Sequence, residues 1–158
     1  MKQQMRSPKW MLSGIFITAT WCLLGFLAQP LVADDDEKPF AEAHVVLQLS
    51  DGDAERQARV LSVANNLIKH YGGPDFIDIE IVAFGPGLRL MFKDNVNSGR
   101  IQGLTSSGVK FAACGNTIAG VTKKLGHAPE MNSNAVTVSA GVVRIIELQN
   151  QDFKLIKP

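Results

Sequence analysis

Cysteine is scarce in this chain of 158 residues, with two in all. Cys22 lies inside an uncharged apolar run near the start, so removal of that segment leaves Cys114 alone and no internal disulfide can form. A lone thiol in an oxidising compartment is a liability unless it is buried or used, which makes Cys114 the first candidate for reactivity. Histidine is nearly as sparse, with three residues, His44, His70 and His127. A charge excess of one sign is missing too: 16 basic and 15 acidic residues give +1. Residues 1–33 hold three of the bases and no acid, so the remainder carries 13 minus 15, or −2. A mildly acidic surface disfavours nucleic acid as a partner. No internal repeat is found, and no low-complexity tract beyond one short acidic stretch.

The start of the chain has the three-part pattern of an export signal. Lys2, Arg6 and Lys9 form a basic opening, and Met11 to Ala28 then runs without a charge through Ile15, Phe16, Leu23, Leu24 and Phe26. Asp34, Asp35, Asp36 and Glu37 follow, just after Ala33, a small residue of the kind a signal peptidase accepts. The expectation is a signal peptide over 1–33, an acidic linker over 34–43 and one domain over 44–158, exported to the periplasm. The alternative is an uncleaved inner-membrane anchor, because about 18 apolar residues is the lower limit for a spanning helix. Either way the domain faces the far side of the membrane. After cleavage about 125 residues remain, a usual size for one domain with a full core.

From Ala43 onward strand-like and helix-like signals alternate, the pattern of a mainly parallel sheet covered on both faces. The first strand is His44 to Leu49, with Ser50, Asp51 or Asp53 placed to cap a helix. That helix carries Val60, Leu61, Ala64, Leu67, Ile68 and Tyr71 on one stripe and stops at Gly72-Gly73-Pro74. Ile77, Ile79, Ile81 and Ala83 alternate with Asp78 and Glu80, which reads as a strand near the sheet edge with one wet face. After Gly85-Pro86-Gly87 comes a helical stretch with Leu88, Leu90, Met91 and Phe92, and a second piece holding Ile101 and Leu104. Val109 to Ala113 form the third strand, leading into Cys114-Gly115-Asn116-Thr117 and a helix with Ile118, Val121 and Leu125 inward. Val136 to Val138, a helix from Val142 to Leu148 with Ser139 as its cap, and a strand from Phe153 to Ile156 complete five strands and four helices. The fold class is α/β, three layers with a five-stranded sheet.

In such a sheet ligands bind beyond the carboxyl ends of the strands, where loops enter helix amino termini. Cys114 sits at that edge. There the unpaired backbone N–H groups and the positive end of the helix dipole favour thiolate over thiol. Gly115 would let a sulfur-bearing partner approach the backbone, and Asn116 or Thr117 could donate a side-chain hydrogen bond to sulfur. Gly85 and Gly87 form a tight turn lining the cysteine pocket. The competing reading is a buried, inert cysteine filling space at a strand end. A cysteine–histidine hydrolase is disfavoured, because His44, His70 and His127 fall at the opposite edge, His127 on the order of 15 Å away along the helix. The same separation weakens any metal site. Gly85-Pro86-Gly87 is no dinucleotide fingerprint, since Leu90 stands where a third glycine is needed, so no cofactor is expected.

The segments Phe84-Gly85-Pro86-Gly87, Val109 to Thr117, Ser139-Ala140-Gly141-Val142 and the terminal Lys157-Pro158 together resemble the DsrE/DsrF-like sulfur-relay family. The resemblance covers His44 to Pro158. It implies a compact α/β/α domain that assembles into homo- or hetero-oligomers and carries sulfur as a persulfide on the matching cysteine, Cys114. The export signal departs from it, since the best-understood relay members work in the cytoplasm.

The expected function is a sulfur carrier in which the Cys114 thiolate takes sulfane sulfur from a donor and passes it to an acceptor thiol. Donor and acceptor would be thiol proteins or small sulfur compounds. Such exchange needs no general base. The alternatives are a non-catalytic oligomeric binding module, with Arg89 and Lys93 holding a small anion, and a thiol redox sensor. A homo-oligomer is expected because Leu88, Leu90, Met91 and Phe92 crowd one short stretch, and one helix face cannot bury all four.

Overall fold

The computed structural model describes residues 38–158, and the export segment lies outside them. Strand β1 (Ala43–Leu49) is followed by helix α1 (Ala54–His70). Asp53 caps α1 by accepting the Arg56 N–H at 2.9 Å, and Val60, Leu61 and Ala64 form its buried stripe. Gly72 and Gly73, both at positive φ, turn the chain through a 3-10 turn at Pro74–Phe76 into β2 (Ile77–Ala83). A 3-10 helix at Gly85–Met91 and helix α2 (Ser98–Ser106) lead to β3 (Lys110–Cys114), α3 (Gly115–Leu125), β4 (Ala135–Val138), α4 (Gly141–Gln149) and β5 (Lys154–Ile156).

All five strands are parallel, in the order β4-β3-β2-β1-β5. The first three crossovers step the same way across the sheet and the last steps back. With right-handed crossovers, α1 to α3 then share one face and α4 falls on the other. The core divides accordingly: Leu47, Ile79, Ile81 and Phe111 pack with α1, α2 and the 3-10 helix. Val46, Val82 and Ala112 pack with Ile145 and Leu148 of α4. The expected three-layer α/β/α architecture is the one observed.

Four expectations are corrected. Strand β2 is the middle strand, and every residue in it is buried. Its alternation reflects polar groups held inside the protein: Arg144 of α4 donates to both oxygens of Glu80 at 2.8 and 2.7 Å, whereas Asp78, 3.9 Å from the His44 ring, keeps one buried oxygen without a hydrogen-bond partner. Leu88, Leu90 and Met91 are all buried within the subunit, because the tight 3-10 winding after Gly87 turns them inward together. They therefore leave no uncovered patch. Leu125 is not inward but 56% exposed. Part of the expected linker is docked on the domain, since Lys38 donates to the carbonyls of Pro74 and Ile77 and Glu42 donates its backbone N–H to Phe76.

Among the described residues the second face is covered by one helix, and that helix keeps an apolar outer side. Val142, Val143 and Ile146 are about half exposed, and Val136 on β4 is about two-thirds exposed. Among the described residues no helix is long and apolar enough to cross a membrane.

Arg144→Met would leave the Glu80 carboxylate buried without its partner. Losing one member of such a pair costs about 3 kcal/mol. The denaturation midpoint should fall accordingly, and Glu80→Met combined with Arg144→Met should recover most of the loss. A single variant as stable as the parent would show that the pair contributes nothing.

Candidate functional site

Cys114 ends β3 and stands at the N-cap of α3, behind the buried run Phe111-Ala112-Ala113. Its register partner is Val138. The two strands end level, and α3 and α4 therefore begin side by side at the carboxyl edge. Two glycines permit this approach. A Cβ on Gly115 would lie 3.0 Å from the Val138 carbonyl oxygen, and one on Gly141 would lie 3.1 Å from Phe84 and 3.3 Å from the Cys114 Cβ. The amino terminus of α4 is thus seated against the thiol, as is that of α3.

The thiol is 5% exposed. Burial alone pushes its pKa up, but the Thr117 hydroxyl and the backbone N–H groups of Gly141, Thr117 and Asn116 lie close enough to favour a negative sulfur and oppose that. Together they hold Cys114 below the ordinary thiol value. The Thr117 hydroxyl is itself held in place, accepting the Gly85 N–H at 3.0 Å, and Gly85 presents that N–H from a left-handed conformation at φ 54°. A relay of donors therefore runs from Gly85 through Thr117 to sulfur. Donors fixed in this way stabilise a negative sulfur without carrying a formal charge.

The expected site residues separate into two groups. Cys114, Thr117, Asn116 and Gly85 converge, although Asn116 contributes only its backbone, whose N–H donates to the Ser139 carbonyl at 3.3 Å. Gly115 does not open the backbone to a ligand; the room its missing side chain leaves is occupied by the β4–α4 loop. Gly87 also serves packing, since a Cβ there would lie 2.4 Å from the Leu49 carbonyl oxygen. Lys93 pairs with Glu130 at 2.8 Å on the surface, whereas Arg89 has no such partner among the described residues. Ser139 is not the cap of α4; Ala140 holds that position without a side-chain bond.

Gly141 and Phe84 were not among the sequence candidates. Both lie in the segments Phe84–Gly87 and Ser139–Val142 that carry the family resemblance, which was the available signal. His44 lies in β1, His70 ends α1 and His127 follows α3, so none belongs to the elements that meet at Cys114. Among the described residues no group of three or more histidine, cysteine or carboxylate side chains could hold a metal ion.

Between the 3-10 helix and α3 lies an open cavity of about 450 Å³. Gly85 and Thr117 form part of its wall, with Leu88, Phe92, Val121 and Leu125 supplying apolar surface and Arg89 and Lys124 two cations. It adjoins the cysteine through Thr117, which touches both.

No family model matches the chain, and no curated protein matches it. Among solved structures it is similar to the protein of unknown function MTH1491 from Methanobacterium thermoautotrophicum, with 28% identity and a TM-score of 0.65. The likeness spans 74% of this chain and 100% of that one.

Thr117→Val keeps the shape of the side chain and removes its hydroxyl. The Cys114 pKa should rise, so the half-point of a pH titration of thiol alkylation should move upward from the parent value. The depressed folded pKa also means that the thiolate adds stability above the unfolded thiol pKa, lost as pH falls through the folded one. That pH-dependent increment should shrink in Thr117→Val. An unmoved half-point would show that the hydroxyl does not act on sulfur.

Proposed function

We propose that the protein is a sulfur carrier that holds sulfane sulfur as a persulfide on Cys114. The observation that carries this reading is the seating of one buried thiol between the amino termini of α3 and α4, with no histidine among the elements around it. Thiolate attack on the outer sulfur of a donor persulfide, R–S–S⁻, forms the Cys114 S–S bond and expels R–S⁻. The balance needs no proton, so a base is unnecessary. The same donors that stabilise the thiolate can follow the negative charge onto the outer sulfur. In the second half an acceptor thiolate takes that sulfur and restores Cys114.

The sequence of residues 1–33 supports export, and we take the periplasm as the compartment. There a thiol without a disulfide partner persists if it is shielded, which its 5% exposure provides.

We also infer a homo-oligomer, now through a different surface from the one first expected. Val142, Val143, Ile146 and Val136 form an apolar outer side on α4 and β4, and such surface is commonly covered by a second copy. Val142 directly follows Gly141, so a subunit docked there would stand at the edge of the cysteine site.

Cys114→Ser should abolish the gain of sulfur mass seen after polysulfide treatment while the melting temperature stays close to the parent's. Sulfur retained elsewhere in that variant would end the carrier reading. Ile146→Glu should convert an oligomeric light-scattering mass to a monomeric one. A parent protein already monomeric at micromolar concentration would refute the assembly.

A further inference from the structure

Four features of the cavity between the Gly85–Met91 helix and α3 bear on what it holds. Its volume, about 450 Å³, suits a small organic molecule. Its walls are largely apolar, and Phe92 is among the residues that line it. Arg89 and Lys124 at its rim have no carboxylate partner among the described residues. Finally, Gly120 stands in the middle of α3 on the cavity wall, and a Cβ there would meet nothing within 4 Å. A glycine inside a helix costs about 1 kcal/mol relative to alanine. Here no neighbouring atom of the protein requires it, and its effect is to keep the cavity open.

We propose that this cavity binds the organic part of a small anionic sulfur donor, an aryl or branched-alkyl thiosulfonate, and presents its outer sulfur to Cys114. The proposal rests on the carrier reading and names its donor class. The apolar walls take the organic group, and Arg89 and Lys124 offset the charge of the sulfonyl end. Thr117, shared by wall and thiol, marks where the outer sulfur must arrive. The chemistry suits a site with no acid or base. Cys114 S⁻ attacks the outer sulfur of R–SO₂–S⁻ and a new S–S bond forms. The bond between the two donor sulfurs breaks, with its electron pair left on the sulfonyl sulfur. The products are the Cys114 persulfide anion and R–SO₂⁻. The cysteine sulfur is oxidised, the sulfonyl sulfur is reduced to sulfinate, and no proton moves. A sulfinate is a stable leaving anion, so its departure, like that of the thiolate in the persulfide exchange above, needs no acid.

The test uses the full chain, benzenethiosulfonate as organic donor and inorganic polysulfide as a donor with no organic part. Gly120→Leu fills the cavity, improves helix propensity and touches no protein atom at its Cβ. It should slow loading of Cys114 by benzenethiosulfonate about tenfold or more, close to 1.4 kcal/mol, while polysulfide loads it as fast as the parent. Arg89→Ala with Lys124→Ala should slow the organic donor in the same selective way. Equal slowing of both donors, or of neither, overturns the cavity assignment. Benzenesulfinate, the unreactive product, should bind Cys114→Ser protein saturably and lose that binding when Gly120→Leu is added. If neither donor loads the parent, the carrier reading fails, and the sulfinate titration alone judges the cavity: binding insensitive to Gly120→Leu, or none, overturns it.

Discussion

The position of α4 depends on one buried ion pair. Among the described residues this helix alone covers the second face of the sheet, and Arg144 fixes it there through both oxygens of Glu80 on the central strand. Two parallel hydrogen bonds to a carboxylate constrain rotation as well as distance, which a purely apolar contact would not. The consequence lies one turn away. With Arg144 held, Gly141 three residues before it has little freedom, and its N–H is delivered to Cys114. A charge pair near the middle of the sheet thereby sets the geometry of a thiol at the edge.

That thiol shows how opposing effects of similar kind are resolved. Desolvation disfavours the thiolate and is the largest single influence on it, yet the pKa falls because the opposing donors are several and fixed. Thr117 is the strongest of them, and it is strong because Gly85 occupies its oxygen from behind. Each hydrogen bond there polarises the next, which is the usual behaviour of connected donors in a low-dielectric site. A site built from neutral donors also has no proton to lose near neutral pH except that of the thiol itself.

Much of this was legible in the residues. The alternation of strand and helix signals, the α1 stripe and the placement of Cys114 at a strand end followed from local spacing, and the structure has them. The strand Ile77–Ala83 was misplaced to the edge because Asp78 and Glu80 look solvated when their partners are invisible. Arg144 lies 64 residues from Glu80 in the chain, and no local pattern announces such a pairing. Leu88, Leu90 and Met91 were misjudged for a related reason. Their spacing suits neither an α-helical stripe nor a strand, and a 3-10 helix packed between two layers is a tertiary outcome. Glycine was the least legible residue type. Gly115 and Gly141 matter for atoms brought to them from other elements, whereas Gly85 matters for its own φ.

The division of labour between the two faces at the carboxyl edge has a further consequence. Sulfur stabilisation comes from backbone groups at the starts of α3 and α4, so it is insensitive to side-chain identity at most positions. The cavity, in contrast, is lined by side chains of the 3-10 helix and of α3. Leu125, exposed when the spacing of α3 would turn it inward, illustrates the point: it belongs to a wall facing open space. The chemistry can thus stay fixed while the cavity varies. Thr117 is the exception, since it serves both, and it is the residue through which a change in the cavity would be felt at the thiol.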